Sequence, residues 1–213
     1  IGLGIPAEPL FRSSYAPNLK GHPCVMVGLG QAQFYTFSLS YKMSLRPVIS
    51  VFGDSLIEGN ADKTNKDKRY VALLQQELGV KECLINGWGG AYLVGDAMPR
   101  VLDKILKVNT RYTMLEYGLN DVSNSTFDTW KNGVLELVAI IKHSGSIPIL
   151  VCPTYTSAMF DGEHDAQKAV ITQMCEWIRQ SGEYYVDAND ALFDSSGWRD
   201  EDYHLADGIH FSS

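Results

Sequence analysis

The chain has 213 residues, 45% of them hydrophobic and 20% charged, a balance that calls for a packed core rather than disorder. Its formal net charge of -7 argues against nucleic acid as the main partner, because phosphate binding needs a basic surface. No stretch approaches the roughly 20 consecutive apolar residues that a membrane-spanning helix requires.

Residues 1–46 read differently from the rest. They open on a Gly/Pro/Ser-rich stretch with no helical period, followed by "AQFYTFSLSYKM" (32–43), whose partial alternation and aromatic content predict a strand. This piece is too short for a core of its own, so a β-type appendage, or the tail of a larger upstream domain, is expected before a main domain at 47–213.

From Pro47 the pattern alternates. Short apolar runs at 47–52, 82–86, 112–118, 147–153 and 184–188 predict strands, the first of them buried on both faces. Between them, apolar residues spaced three and four apart predict helices. Val71, Leu74 and Leu78 mark the first, with Gly79 as its stop. Val94, Ala97, Val101, Ile105 and Leu106 mark a helix over 92–107. Phe127, Trp130, Val134, Leu137, Val138 and Ile141 mark one over 126–143. Val170, Met174, Trp177 and Ile178 mark one over 164–180. Strand–helix alternation of this length predicts an α/β fold: a parallel sheet with helices on both faces.

Cys24, Cys83, Cys152 and Cys175 form no CxxC pair, which argues against a zinc ribbon or a thioredoxin-type site; reduced, buried thiols are expected. The chain starts at Ile1 rather than Met, as a mature form or a fragment would, and no signal peptide is visible. The compartment stays open. A β-type appendage would suit an extracellular setting or a larger secreted or surface assembly.

In such sheets ligands bind outside the carboxyl ends of the strands. Ser55 follows the first predicted strand, Gly89 and Gly90 the second, and Asn120 the third, so all should face one edge. A serine hydroxyl needs a base to become a nucleophile. The best candidate is His210 in "LADGIHFSS", with Asp207 three residues earlier to fix its tautomer. A tetrahedral intermediate also needs donors for its oxyanion. The backbone N–H groups of Ser55 and Gly90 and the side-chain amide of Asn120 are the candidates.

These residues resemble the SGNH, or GDSL-type, hydrolase family. "FGDSLIEGN" carries its GDS at Ser55, "NGWGGA" its glycine segment at Gly90, "YGLND" its GxND at Asn120, and "DGIH" its DxxH at Asp207 and His210, in the family's order. The resemblance implies a three-layer, flavodoxin-like α/β fold and ester hydrolysis through Ser55, with no metal or other cofactor. Two departures stand out. The second block is one residue short, with Trp88 in place of a small or aliphatic residue, so Gly89 is an alternative to Gly90. The chain also ends three residues after His210, where the family usually adds a closing helix; the resemblance leaves two readings, a chain cut short there or residues 1–46 filling that place.

Asp54 and Asp121 are expected to brace their loops. His204, with Asp202 two residues earlier, rivals His210 as the base. His22, His143 and His164 are expected at the surface. "ADKTNKDKR" (61–69) reads as a solvated loop. Trp88, Tyr155, Trp198 and Tyr203 are candidates to line a sugar-binding cleft, and Trp130 and Trp177 to lie in the core. Together with the lack of a long apolar lid, they favour a short acyl group, such as acetyl, on a carbohydrate ester as substrate. The alternatives are a lipid or thioester acyl hydrolase, and a non-catalytic carbohydrate-binding module. A flavin-binding protein is disfavoured, because no GxGxxG follows the first strand.

Overall fold

The computed structural model describes residues 48–59, 70–79, 83–108 and 110–212. The appendage expected at 1–46 and the loop at 61–69 lie outside the described residues.

Five strands form one parallel sheet: β1 (Ile49–Gly53), β2 (Cys83–Gly87), β3 (Tyr112–Glu116), β4 (Ile147–Val151) and β5 (Tyr184–Val186), in the order β2-β1-β3-β4-β5. The register pairs Gly53 with both Gly87 and Glu116, which brings the carboxyl ends of β2, β1 and β3 level. The helices are α1 (Ser55–Glu58), α2 (Tyr70–Glu77), α3 (Met98–Lys107), α4 (Asp121–Asn124), α5 (Phe127–His143), α6 (Asp165–Gln180) and α7 (Asn189–Leu192). A two-residue hairpin of β6 (Phe193–Asp194) and β7 (Gly197–Trp198) follows.

Side chains alternate across the strands and make two cores. Phe52, Leu115 and Leu150 pack with α3, α5 and α6 through Val101, Leu137 and Ile178. Ile49, Val51 and Met114 face the other way, with Val71 of α2. The α/β fold is therefore as the sequence predicts. Among the described residues, α2 is the one long helix on the second face.

Helix ends follow local chemistry. Thr126 caps α5 by accepting from Thr129 N–H at 3.2 Å. Trp130 is buried, and its indole N–H donates to Tyr117 O at 3.1 Å. The helix expected over 92–107 splits. Residues Leu93–Ala97 form a wider π-type turn before α3. Pro99 gives the reason: it lacks an N–H, and its ring would crowd the carbonyl four residues back. The stripe on α3 also differs, since Leu106 is 73% exposed while Val101 and Ile105 are buried. Cys83, Cys152 and Cys175 are free and buried, as expected. No helix of the described residues is long and apolar enough to cross a membrane.

Candidate active site

Ser55 is the first residue of α1, directly past the end of β1. Asp54 caps the helix, its Oδ1 accepting from Leu56 N–H at 2.9 Å. That bond fixes the strand-to-helix turn and leaves the Ser55 N–H in the first helical turn, where no intrahelical partner exists.

His210 reaches Ser55 from 155 residues away: Nε2 lies 2.9 Å from Ser55 Oγ. Its Nδ1 lies 2.7 Å from Asp207 Oδ2. The loop carrying it is closed by Leu205 N–H donating to His210 O at 2.8 Å, and by the buried Trp198 donating to Gly208 O at 3.3 Å. Asp207 Oδ1 accepts from the backbone N–H groups of Ile209 and His210. Partial burial works against the Asp207 charge, but the bonds from the His210 ring and these N–H groups outweigh it and hold the carboxyl down at about 2. An imidazole so placed can take the serine proton, while the carboxylate holds its tautomer.

Asn120 sits in the turn after β3, as its place in the sequence predicts. The preceding Gly118 is required there, since a Cβ would lie 2.7 Å from Pro153 Cγ. The Asn120 amide is engaged: Nδ2 donates to Asp54 Oδ2 at 3.0 Å and to Ala91 O at 3.1 Å. Gly90 has φ +72°, so glycine is needed for its backbone conformation; within the protein a Cβ there would meet nothing within 4 Å. Gly89 is distinguished from it by a bond, its N–H donating to Glu58 Oε2 at 2.6 Å.

Three buried carboxyls lie beneath the site. Burial, more than any other influence, pushes Asp54 and Asp121 up to about 6. Both brace loops, Asp121 by accepting from Leu93 N–H at 2.9 Å. The third, Glu116, is one the sequence reading missed. It ends β3 beside Gly53, accepts a bond from the Tyr70 hydroxyl, and is pushed up to about 8 by burial and the nearby Asp54. An apolar strand interrupted by one glutamate was the available signal.

Ser55, Gly89, Gly90, Asn120, Asp207 and His210 line one open cleft of about 800 Å³. Trp88 and Tyr155 do not, which corrects their expected place in it. Trp88 packs against the core beneath the Arg100 guanidinium, and Tyr155 turns its hydroxyl to Thr172 at 3.0 Å and its ring to Phe160 and Phe193. Trp198 is buried, and Tyr203 is exposed outside the lining. His204 lies against Trp198, with Nδ1 2.6 Å from Leu205 O, so it serves the loop rather than Ser55. The rest of the lining is mixed: Ser123, Thr156, His164 and Gln167 bring polar groups, and Leu119, Val122, Met159, Leu205 and Ile209 bring apolar ones. His164, expected at the surface, is 40% exposed and also lines this cleft. The signal that marks it is "DGEH" at 161–164, the same spacing as "DGIH" at 207–210.

The class is that of open parallel α/β sheets, here with Ser55 and its His210 and Asp207 partners at the carboxyl ends of the strands. Within it, residues 51–213 match the model of the GDSL-like Lipase/Acylhydrolase family, and the chain belongs to that family. Solved structures share the fold. The lipase/acylhydrolase from Enterococcus faecalis is 22% identical, with TM-score 0.60 over 77% of this chain and 86% of that one. The psychrotrophic esterase EstA from Pseudoalteromonas sp. is 17% identical, with TM-score 0.57 over 78% and 88%. An acetyl xylan esterase, AlAXEase, is 16% identical, with TM-score 0.61 over 77% and 91%. No curated protein matches the chain.

Proposed function

We propose that the protein is a serine esterase that removes short acyl groups, acetyl above all, from hydroxyl-rich alcohols such as carbohydrates. His210 takes the proton of Ser55 as Oγ attacks the ester carbonyl. The Ser55 and Gly90 N–H groups and the Asn120 amide receive the oxyanion. His210 then returns the proton to the leaving alkoxide, and water attacks the acyl-serine by the same route in reverse. The observation that carries the reading is the unbroken chain Ser55 Oγ, His210, Asp207, at 2.9 and 2.7 Å. Gly90 is preferred to Gly89 because the Glu58 carboxylate already holds the Gly89 N–H.

Support for the substrate class comes from the polar side chains of Ser123, Thr156, His164 and Gln167 in the cleft lining rather than from the aromatics that first suggested a sugar, since Trp88 and Tyr155 lie elsewhere. A long acyl chain laid over those four side chains would strip water from them without replacing the bonds. The name of the acetyl xylan esterase among the structural neighbours is consistent with this choice. Hydrolysis of p-nitrophenyl esters of rising chain length tests it: rates should fall steeply beyond acetyl and propionyl, and a maximum at long chains would reverse the assignment to a lipid acyl hydrolase.

A further inference from the structure

The cleft holds two copies of one local device. At 207–210 and at 161–164 the sequence reads Asp-Gly-x-His. In each, the glycine has positive φ, +66° at Gly208 and +85° at Gly162. In each, the aspartate Oδ1 accepts from the N–H two residues on, at 2.9 Å from Ile209 and 2.7 Å from Glu163. In each, the imidazole Nδ1 faces that aspartate, at 2.7 Å for His210 and 3.3 Å for His164. Both histidines line the same cleft, and His210 is the one bonded to Ser55.

We propose that His164, steadied by Asp161, is a specificity-determining residue that binds a hydroxyl of the substrate's alcohol portion together with Gln167. The proposal rests on the esterase reading above and names a subsite for it. With Nδ1–H directed at Asp161, Nε2 is the ring nitrogen left for a ligand. Gln167 lies three residues on, on the same side of the first turn of α6, and offers both a donor and an acceptor. Ser123 and Thr156 add two hydroxyls to the lining of the same cleft. An acceptor at His164 Nε2 beside side chains that both donate and accept matches a hydroxyl, which does the same, better than a carboxylate or an ammonium. His164 is 40% exposed, so its ring is open to a ligand as well as to solvent.

Two esters with the same acyl group and the same three-carbon alcohol skeleton test it: glyceryl 1-monoacetate and propyl acetate. The ratio of their kcat/KM values isolates recognition of the two extra hydroxyls, and a ratio taken within each variant cancels any loss of folded enzyme. The wild type should favour the glyceryl ester, and His164→Ala should lower the ratio three- to tenfold, the worth of about one hydrogen bond. Gln167→Ala should lower it in the same direction. A ratio unchanged in both variants overturns the subsite and leaves the esterase reading standing. Failure of the wild type to hydrolyse either ester overturns the esterase reading, and the subsite with it.

Discussion

Asn120 Nδ2 and Asp54 Oδ2 lie 3.0 Å apart, and the second hydrogen of that amide goes to Ala91 O. The group proposed to receive the oxyanion is thus held by a carboxylate buried at the turn that presents the nucleophile. On that proposal Asp54 aims the amide, and an oxyanion bound there shares its hydrogen with Asp54 or Ala91. Asn120→Ala should therefore lower kcat on p-nitrophenyl acetate by about 100- to 1000-fold with little change in KM. Asp54→Asn turns an acceptor into a group that can point a competing NH2 at Asn120, and should give a smaller loss in kcat. A normal kcat in Asn120→Ala would show that the amide does not face the transition state.

Asp207 is 44% exposed, unlike the buried carboxylate of the familiar Ser-His-Asp arrangement. Water competes for it, so its orienting effect should be weaker than the loss of the base itself. Asp207→Ala should cost less in kcat than His210→Ala, by roughly tenfold or more, in line with the unequal losses seen when single members of such sets are removed. Equal losses would mean that the carboxylate acts as more than an orienting group.

Glu116 titrates in the folded protein at about 8 against an ordinary value of 4.5. Between those pH values the folded state keeps a proton that the unfolded state has released. Stability therefore falls as pH rises through this window, by up to about 1.4 kcal/mol per pH unit. Glu116→Gln keeps the shape and removes the titration. Denaturant unfolding at pH 5 and pH 8 should show the variant gaining on the wild type at the higher pH. A constant difference would place the proton elsewhere.

Gly87 ends β2 against the backbone of α1, where a Cβ would lie 2.1 Å from Glu58 N. Backbone cannot swing aside as a side chain can, so Gly87→Ala should destabilise by about 1–3 kcal/mol. It should also displace the helix that begins at Ser55. Thermal unfolding and kcat measured on the same samples check both effects; an unchanged melting temperature would contradict the packing.

The sequence made the sheet legible because each strand is a short apolar run between helices with clear periodicity, as in 47–52 and 126–143. Ser55, Asn120 and His210 were legible because each falls in a block tied to a strand end or to the DxxH spacing. Trp88 and Tyr155 misled because an aromatic near a motif has no direction in the sequence; only the fold shows Trp88 packed under Arg100 and Tyr155 against Phe160. Glu116 and the bonds of Asn120 depend on contacts between residues 46 and 66 positions apart, which no local pattern encodes.

The account turns on the hydroxyl of residue 55. Hydrolysis of p-nitrophenyl acetate by the wild type and by Ser55→Ala, with the acyl-serine trapped by rapid acid quench and located by mass spectrometry, tests this directly. The wild type should turn over and carry the acetyl group on the peptide containing Ser55, while Ser55→Ala loses at least a thousandfold in rate and carries none. Equal rates for the two proteins, or acetyl found only on another residue, would contradict it.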